Sequence, residues 1–143
     1  MKNKPGYVFD TNVIVSAILF HQGTPAQALE TALDEGEVII SEAIVRELND
    51  VLSREKFARY ASEEDRSRFL QSLLRESRLI EVEEVIEVCR DPKDNKYLEA
   101  AVSGGAECVI SGDNDLLVLH PFRGIPIYRP HEFLRRIRGH PPQ

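Results

Sequence analysis

Short apolar runs alternate with amphipathic stretches along this chain, and that alternation predicts strands and helices in turn. Tyr7-Val8-Phe9 predicts a short buried strand that ends abruptly at Asp10. Val13 to Leu19 then begins a helix, and Thr24-Pro25 opens another, with Thr24 as N-cap and Gly36 as its stop. Val38-Ile39-Ile40 is a second strand ending at Ser41. The stretch Ser41 to Ser53 carries Ile44, Val45, Leu48, Val51 and Leu52 on one helical stripe. Ser62-Glu63-Glu64-Asp65 caps a further helix to about Ser77, with Phe69, Leu70, Leu73 and Leu74 expected inward.

The second half repeats the alternation. Leu79 to Val82 is the third strand candidate, and Asp91-Pro92 starts a helix that turns Tyr97, Leu98, Ala101 and Val102 inward. Cys108-Val109-Ile110 is the fourth strand, followed by a short helix from Asp113-Asn114-Asp115 through Leu119. Ile125 to Tyr128 is the fifth, with Pro126 suited to a sheet edge because it has no N–H to donate. Phe133, Leu134 and Ile137 close the chain with a last helical turn or two. Strand and helix in alternation predict an α/β fold with a mostly parallel sheet of about five strands.

Length and composition narrow the picture without deciding it. With 143 residues, 42% apolar and 29% charged, the chain reads as one soluble domain, its core at about residues 7–137 and a tail at 138–143. The longest apolar stretch, Val13 to Phe20, is too short to span a bilayer. Lys2 and Lys4 precede no apolar run with a cleavage site, so a cytoplasmic location is expected. Cys89 and Cys108 read as reduced core thiols. A net charge of −6 weighs against a nucleic-acid binder. Two features offset it: Arg129, Arg135, Arg136 and Arg138 gather at the C-terminal end, and a bound cation would neutralise some of the acids.

The acids have both ordinary and chemical readings. Asp10 follows the first strand and Asp113 the fourth, which puts both on the rim where ligands bind in open α/β sheets. Taken singly, each is as well explained as a turn residue or helix N-cap. Glu47 has Ile44 and Val51 as its helical neighbours and so flanks an apolar face, yet alone it reads as an ordinary helix glutamate. Asp91 reads as an N-cap and Asp94 as a first-turn acid favourable to the helix dipole, but Asp94 also precedes Tyr97 and Leu98 by three and four residues and faces inward with them. Asp115 repeats that ambiguity. Together they predict a rim of carboxylates that only protonation or a cation relieves, and hard oxygen ligands in that number suit Mg²⁺ or Mn²⁺. His21, His120, His131 and His140 show no paired ligand spacing, and no phosphate-cradling glycine motif or nucleophile elbow occurs. Metal-assisted hydrolysis of phosphate esters is the chemistry these residues suggest.

Four segments carry a family resemblance: Phe9-Asp10-Thr11-Asn12-Val13, Ser41 to Leu52 with Glu47, Asp91-Pro92-Lys93-Asp94-Asn95, and Ile110 to Leu117. In order and in position they resemble the acidic motifs of PIN-domain ribonucleases, most of all the VapC-like toxins of toxin–antitoxin pairs. The likeness runs from Tyr7 to about Ile137, including Pro130-His131-Glu132-Phe133-Leu134. It implies a three-layer α/β/α sandwich with a Mg²⁺ or Mn²⁺ site at the carboxyl rim of the sheet. Carried over, Asp10, Glu47, Asp94 and Asp113 would be the catalytic acids, with Asp10, Asp94, Asp113 and Asp115 at the metal. Asn12 and Ser111 would be substrate-contacting or supporting polar positions. The implied reaction is endonucleolytic cleavage of RNA to 5′-phosphate and 3′-hydroxyl ends.

The resemblance also implies a cognate antitoxin, whose inserted segment would bring a basic side chain to the acids, and a homodimer. For the latter, the apolar positions around Leu48, Leu70 and Leu74 exceed the needs of one core face. Two other readings stand beside it. A PIN-like protein that only binds or scaffolds would use the acids as caps. A haloacid-dehalogenase-type phosphatase would want a second aspartate where this chain has Asn12.

Overall fold

The computed structural model describes residues 4–138. Lys2, His140 and all but the first residue of the expected tail lie outside the described residues. Strand β1 (Gly6–Phe9) leads into α1 (Thr11–Leu19) and α2 (Thr24–Glu35), then β2 (Glu37–Ile40), α3 (Glu42–Leu52) and α4 (Glu63–Glu76). After β3 (Ser77–Leu79) come α5 (Asn95–Gly104), β4 (Cys108–Ile110), α6 (Asn114–Leu117), β5 (Ile127–Tyr128) and α7 (Pro130–Arg138). Single 3-10 turns cover Glu55–Phe57 and Pro92–Asp94. The five strands form one sheet in the order β3-β2-β1-β4-β5, and every pairing is parallel. The sheet is thus wholly parallel, where the pattern predicted mostly so.

Parallel strands need crossovers, and right-handed crossovers place helices on both faces, giving the three-layer α/β/α sandwich. Helix α5 packs over β1, β2 and β4, while α2 packs against α1 and α7. The central strands are buried on both faces, as their unbroken apolar sequences require: Val8, Val38, Val109 and Ile110 have no exposed surface to within 1%. Tyr7 and Phe9 both meet Phe133 of α7 edge to face, with ring centroids 5.2 and 6.4 Å apart. A smaller apolar cluster of Val15, Ile18, Val51 and Leu52 joins α1 to α3.

Several sequence expectations need correction. The N-cap of α2 is Gly23, not Thr24. Gly36 ends that helix in extended backbone, with φ −164°, so no left-handed conformation calls for glycine there. Space does, because a Cβ at Gly36 would collide with the Pro5 carbonyl. The third strand ends where it was expected to begin: pairing runs through Ser77, Arg78 and Leu79, and Leu79, Val82, Val85 and Val88 are exposed. In α4 only Leu73 of the four expected apolar residues is buried; Phe69 and Leu70 are half-buried and Leu74 is exposed. Leu48 is fully buried within the chain's own core, which withdraws it from any subunit interface.

Within α4 the other buried residue is charged. Arg66 reaches across to the end of α3, its guanidinium donating to the carbonyls of Leu52 and Arg54 while Nε donates to Ser62. A cation at a helix C-terminus meets the negative end of the dipole; the Leu52 carbonyl has no helical partner of its own, and that of Arg54 also accepts the Phe57 N–H.

Candidate metal centre on the acidic rim

Strand order decides where a ligand can approach. From β1 the chain crosses to β2 on one side, and β4 lies on the other, so the crevice at the carboxyl ends of β1 and β4 is the switch point of the sheet. Asp10 begins there, its N–H still bonded to the Ile110 carbonyl at 3.0 Å. It is the N-cap of α1: Oδ1 accepts the Asn12 N–H at 2.7 Å. Its second oxygen accepts the hydroxyl of buried Ser111 at 2.6 Å. The same hydroxyl oxygen accepts the Asp113 N–H at 3.0 Å, so Ser111 ties the two strand ends together. Asp113 in turn caps α6, its Oδ1 accepting from Asp115 N at 2.9 Å.

Capping therefore accounts for part of Asp10 and Asp113. It does not account for Asp94. The 3-10 turn at Pro92–Asp94 is capped by Asp91, which accepts the Lys93 N–H at 3.0 Å. Asp94 stands at the N-cap of α5 without any side-chain capping bond. It is 9% exposed, and its Oδ2 is buried with no hydrogen-bond partner. An unpartnered buried carboxylate oxygen costs the full desolvation of that atom, so it calls for a ligand or a proton.

Asp94, Asp113 and Asp115 each bring one carboxylate oxygen within 4.8 Å of the others. Burial, reinforced by Asp113 through its charge and through a hydrogen bond that a protonated Asp94 would make to it, and then by Asp91 and Asp10, pushes the Asp94 carboxyl up to about 7. Burial also raises Asp10, against the hydrogen bonds from Ser111 and Asn12. The donor set is oxygen only, with no histidine or thiol in the group, and one of its members, Asp94, carries the orphaned oxygen. That chemistry fits a hard divalent cation such as Mg²⁺ or Mn²⁺ and not zinc.

Asp10 and Glu47 lie outside that group of three. Glu47 is held on another network: Tyr97 Oη donates to Glu47 Oε1, Thr11 Oγ1 donates to the same oxygen at 3.0 Å, and Lys96 Nζ lies 3.2 Å from it. Burial works to raise the Glu47 carboxyl, but these partners outweigh it and hold it below its ordinary value. Tyr97 Oη also accepts the Thr11 backbone N–H at 3.1 Å, joining α5 to the first residue of α1. Sequence reasoning treated Tyr97 as core alone and overlooked Thr11 and Lys96. The signal was there: Tyr97 has a hydroxyl to satisfy if buried, and Lys96 precedes it.

Asn12 is exposed and lines a cavity of about 390 Å³ beside the acids, together with Asp10, Asp113, Val13, Pro25 and Pro130. The sequence-derived residues thus form one rim with two parts, a triad of close aspartates and a flank in which Asp10 and Glu47 are hydrogen-bonded.

Comparison with known proteins gives the same architecture. Residues 6–115 match the PIN domain family. The uncharacterized protein MJ1680 of Methanocaldococcus jannaschii is 32% identical over 120 residues, covering 82% of this chain and 77% of that protein. Among solved structures, PAE2754 from Pyrobaculum aerophilum superposes with a TM-score of 0.62 at 17% identity, covering 94% of this chain and 90% of that one. VapBC2 from Rickettsia felis, bound there to a DNA fragment from their promoter, superposes with a TM-score of 0.60 at 16% identity, covering 85% and 96%. At such identities the structural likeness concerns the fold.

Proposed function

The chain belongs to the PIN-domain family, and from that premise we propose that it is a metal-dependent endoribonuclease serving as the toxin of a toxin–antitoxin pair. The observation that carries this reading is Asp94, grouped with two further aspartates and holding a buried, unpartnered Oδ2. Asp94, Asp113 and Asp115 would hold a Mg²⁺ or Mn²⁺ ion. When bound, the ion would supply a water of lowered pKa and a Lewis acid for the phosphate.

The remaining residues have supporting work. Asp10, joined to Asp113 through Ser111, completes the acid set and fixes the spacing of the two strand ends. Glu47, kept ionised by Tyr97, Thr11 and Lys96, supplies a further acid at the flank. Asn12 stands in the cavity where a nucleotide would lie. Hydrolysis of the P–O3′ bond by water leaves 5′-phosphate and 3′-hydroxyl ends. The antitoxin and a homodimer belong to the same reading, the latter without Leu48 in its interface. A cytoplasmic setting would keep the free thiols Cys89 and Cys108 reduced.

Digestion of total RNA by the wild type and Asp94→Asn, in Mn²⁺ and in EDTA with the ends sequenced, tests the reading. Cutting by the wild type in Mn²⁺ alone is the expected result. Cutting that persists at full rate in EDTA, or in Asp94→Asn, overturns the mechanism. The antitoxin is tested by adding the product of a neighbouring gene; a tight binder that leaves cleavage unaffected counts against it.

A further inference from the structure

Arg129 connects β5 to α7, and its carbonyl accepts the Phe133 N–H at 2.9 Å, which makes it the N-cap of that helix. Ser, Thr, Asp or Asn suit such a position, because a side-chain oxygen there accepts a first-turn amide. Arginine has donors only, and its charge meets the positive end of the helix dipole. Half of a capping box is present nonetheless: Glu132 Oε1 accepts the Arg129 N–H at 2.9 Å. Helix chemistry alone thus disfavours the residue that occupies the position.

Its guanidinium is placed instead by the acidic rim. Nη2 donates to Asn114 Oδ1 at 2.9 Å, and Asn114 lies between Asp113 and Asp115 in sequence. Lys96, Arg78 and Arg123 each sit on a glutamate, whereas among the described residues no carboxylate comes within ion-pair distance of Arg129. The cavity that starts at Asp10 and Asp113 reaches Pro130, the adjacent residue. A guanidinium on a half-buried residue, oriented by an amide at an exposed contact and lacking an internal anion, has the geometry for an external one.

We propose that Arg129 is a substrate-binding residue, its guanidinium taking a backbone phosphate of an RNA strand laid across the acidic rim. This rests on the nuclease reading above and adds to it the group that holds a polyanion on a chain of net charge −6. A phosphate contact positions the strand without reading its sequence, so the effect is on affinity and its salt dependence.

The test is binding of a labelled single-stranded RNA of mixed sequence, by fluorescence anisotropy in the cold with Mn²⁺, over a series of KCl concentrations. Arg129→Gln is expected to weaken binding roughly tenfold and to lower the log–log salt slope by about 0.7, the loss of one phosphate contact on a single strand. Arg129→Lys keeps the charge and restores most of the slope. Arg129→Ser completes the capping box, so it should raise Tm by roughly 2–5 °C while weakening RNA binding as much as glutamine does. Those opposite signs separate loss of a contact from loss of fold. Arg68→Gln, on exposed α4, removes an equal charge and should leave the slope unchanged. Wild-type affinity and slope in Arg129→Gln, or an equal drop in Arg68→Gln, overturns the proposal alone. A wild type that neither binds nor cuts RNA in Mn²⁺ overturns the nuclease reading, and Arg129's role with it.

Discussion

Replacing Asp94 with asparagine should make the metal-free protein more stable near neutral pH, and the sign of that change is diagnostic. The carboxyl moves from 3.8 in the open chain to about 7 in the fold, because burial and the neighbouring aspartates resist its charge. Between those values the folded chain keeps a proton that the unfolded chain has released, so stability falls as pH rises through that window. A carboxyl shifted this far would cost about 4 kcal/mol to ionise if fully sealed. The rim opens to water and is screened, so about 1–2 kcal/mol should register. Asparagine keeps the shape and removes the charge; in EDTA at about pH 8 its Tm should exceed the wild type's by roughly 3–8 °C. Well below pH 3.8, where Asp94 is protonated in both states, the two should melt together. Adding Mn²⁺ should reverse the order. The wild type gains about 2.7 kcal/mol at a hundredfold excess over Kd, and the variant gains little. A first-turn acid serving only the helix dipole gives the opposite result in EDTA, a loss of about 0.3–1 kcal/mol. If Asp94→Asn is the less stable protein at pH 8 without metal, the crowded-carboxylate argument is wrong.

Other consequences follow from single contacts. Tyr97→Phe leaves the Thr11 N–H without its acceptor and takes one of three donors from Glu47, so urea denaturation should show a loss of about 1–3 kcal/mol. If the loss is below a few tenths of a kcal/mol, Tyr97 does not join α5 to α1. Arg66→Met strands the Leu52 carbonyl at the end of α3, takes one donor from that of Arg54, and should cost about 2–4 kcal/mol, with hydrogen exchange accelerated first at residues 52–58. Uniform acceleration across the chain would refute a local anchor. Burial pushes the Cys89 thiol up to about 11 and the Cys108 thiol up to about 12, so neither should react with a thiol reagent at neutral pH in the folded state. Both should react on unfolding, and fast labelling of the native chain would contradict the packing described.

How legible the fold was depended on where each strand lies in the sheet. Central strands are sealed on both faces, so Val8-Phe9, Val38 to Ile40 and Cys108 to Ile110 had to be apolar runs and were found within a residue or two. The edge strand β3 has no such requirement. Its pairing is carried by the backbone of Ser77 and Arg78, and its last bond is the Ile80 N–H to the Ile40 carbonyl. The apolar residues that suggested a strand there, Val82 among them, lie in exposed chain beyond it. In α4 the hydrophobic stripe was followed without its first member: Arg66 precedes Phe69, Leu70 and Leu73 by three, four and seven residues, on the same face. A charge at a stripe position was the visible sign of a buried anchor.

The acids were legible for a different reason. Each has an ordinary reading that a sequence cannot dismiss, and for Asp10 and Asp113 that reading is true, since both cap helices with one oxygen. What separates the rim from a row of caps is a leftover. Asp91 caps the turn, as its position in the sequence predicts, while Asp94 makes no capping bond and carries an oxygen without a hydrogen-bond partner. Such a remainder belongs to three-dimensional accounting of donors and acceptors, and no spacing rule exposes it. Arg129 is a cation placed where a cap should be, its guanidinium held by the Asn114 amide oxygen. Asp94 is grouped with Asp113 and Asp115, and Arg129 is bonded to Asn114 between them in sequence, so the unsatisfied oxygen and the guanidinium belong to one rim. A phosphodiester strand with its metal is the ligand that would satisfy both at once, which neither a capping role nor a scaffold role does.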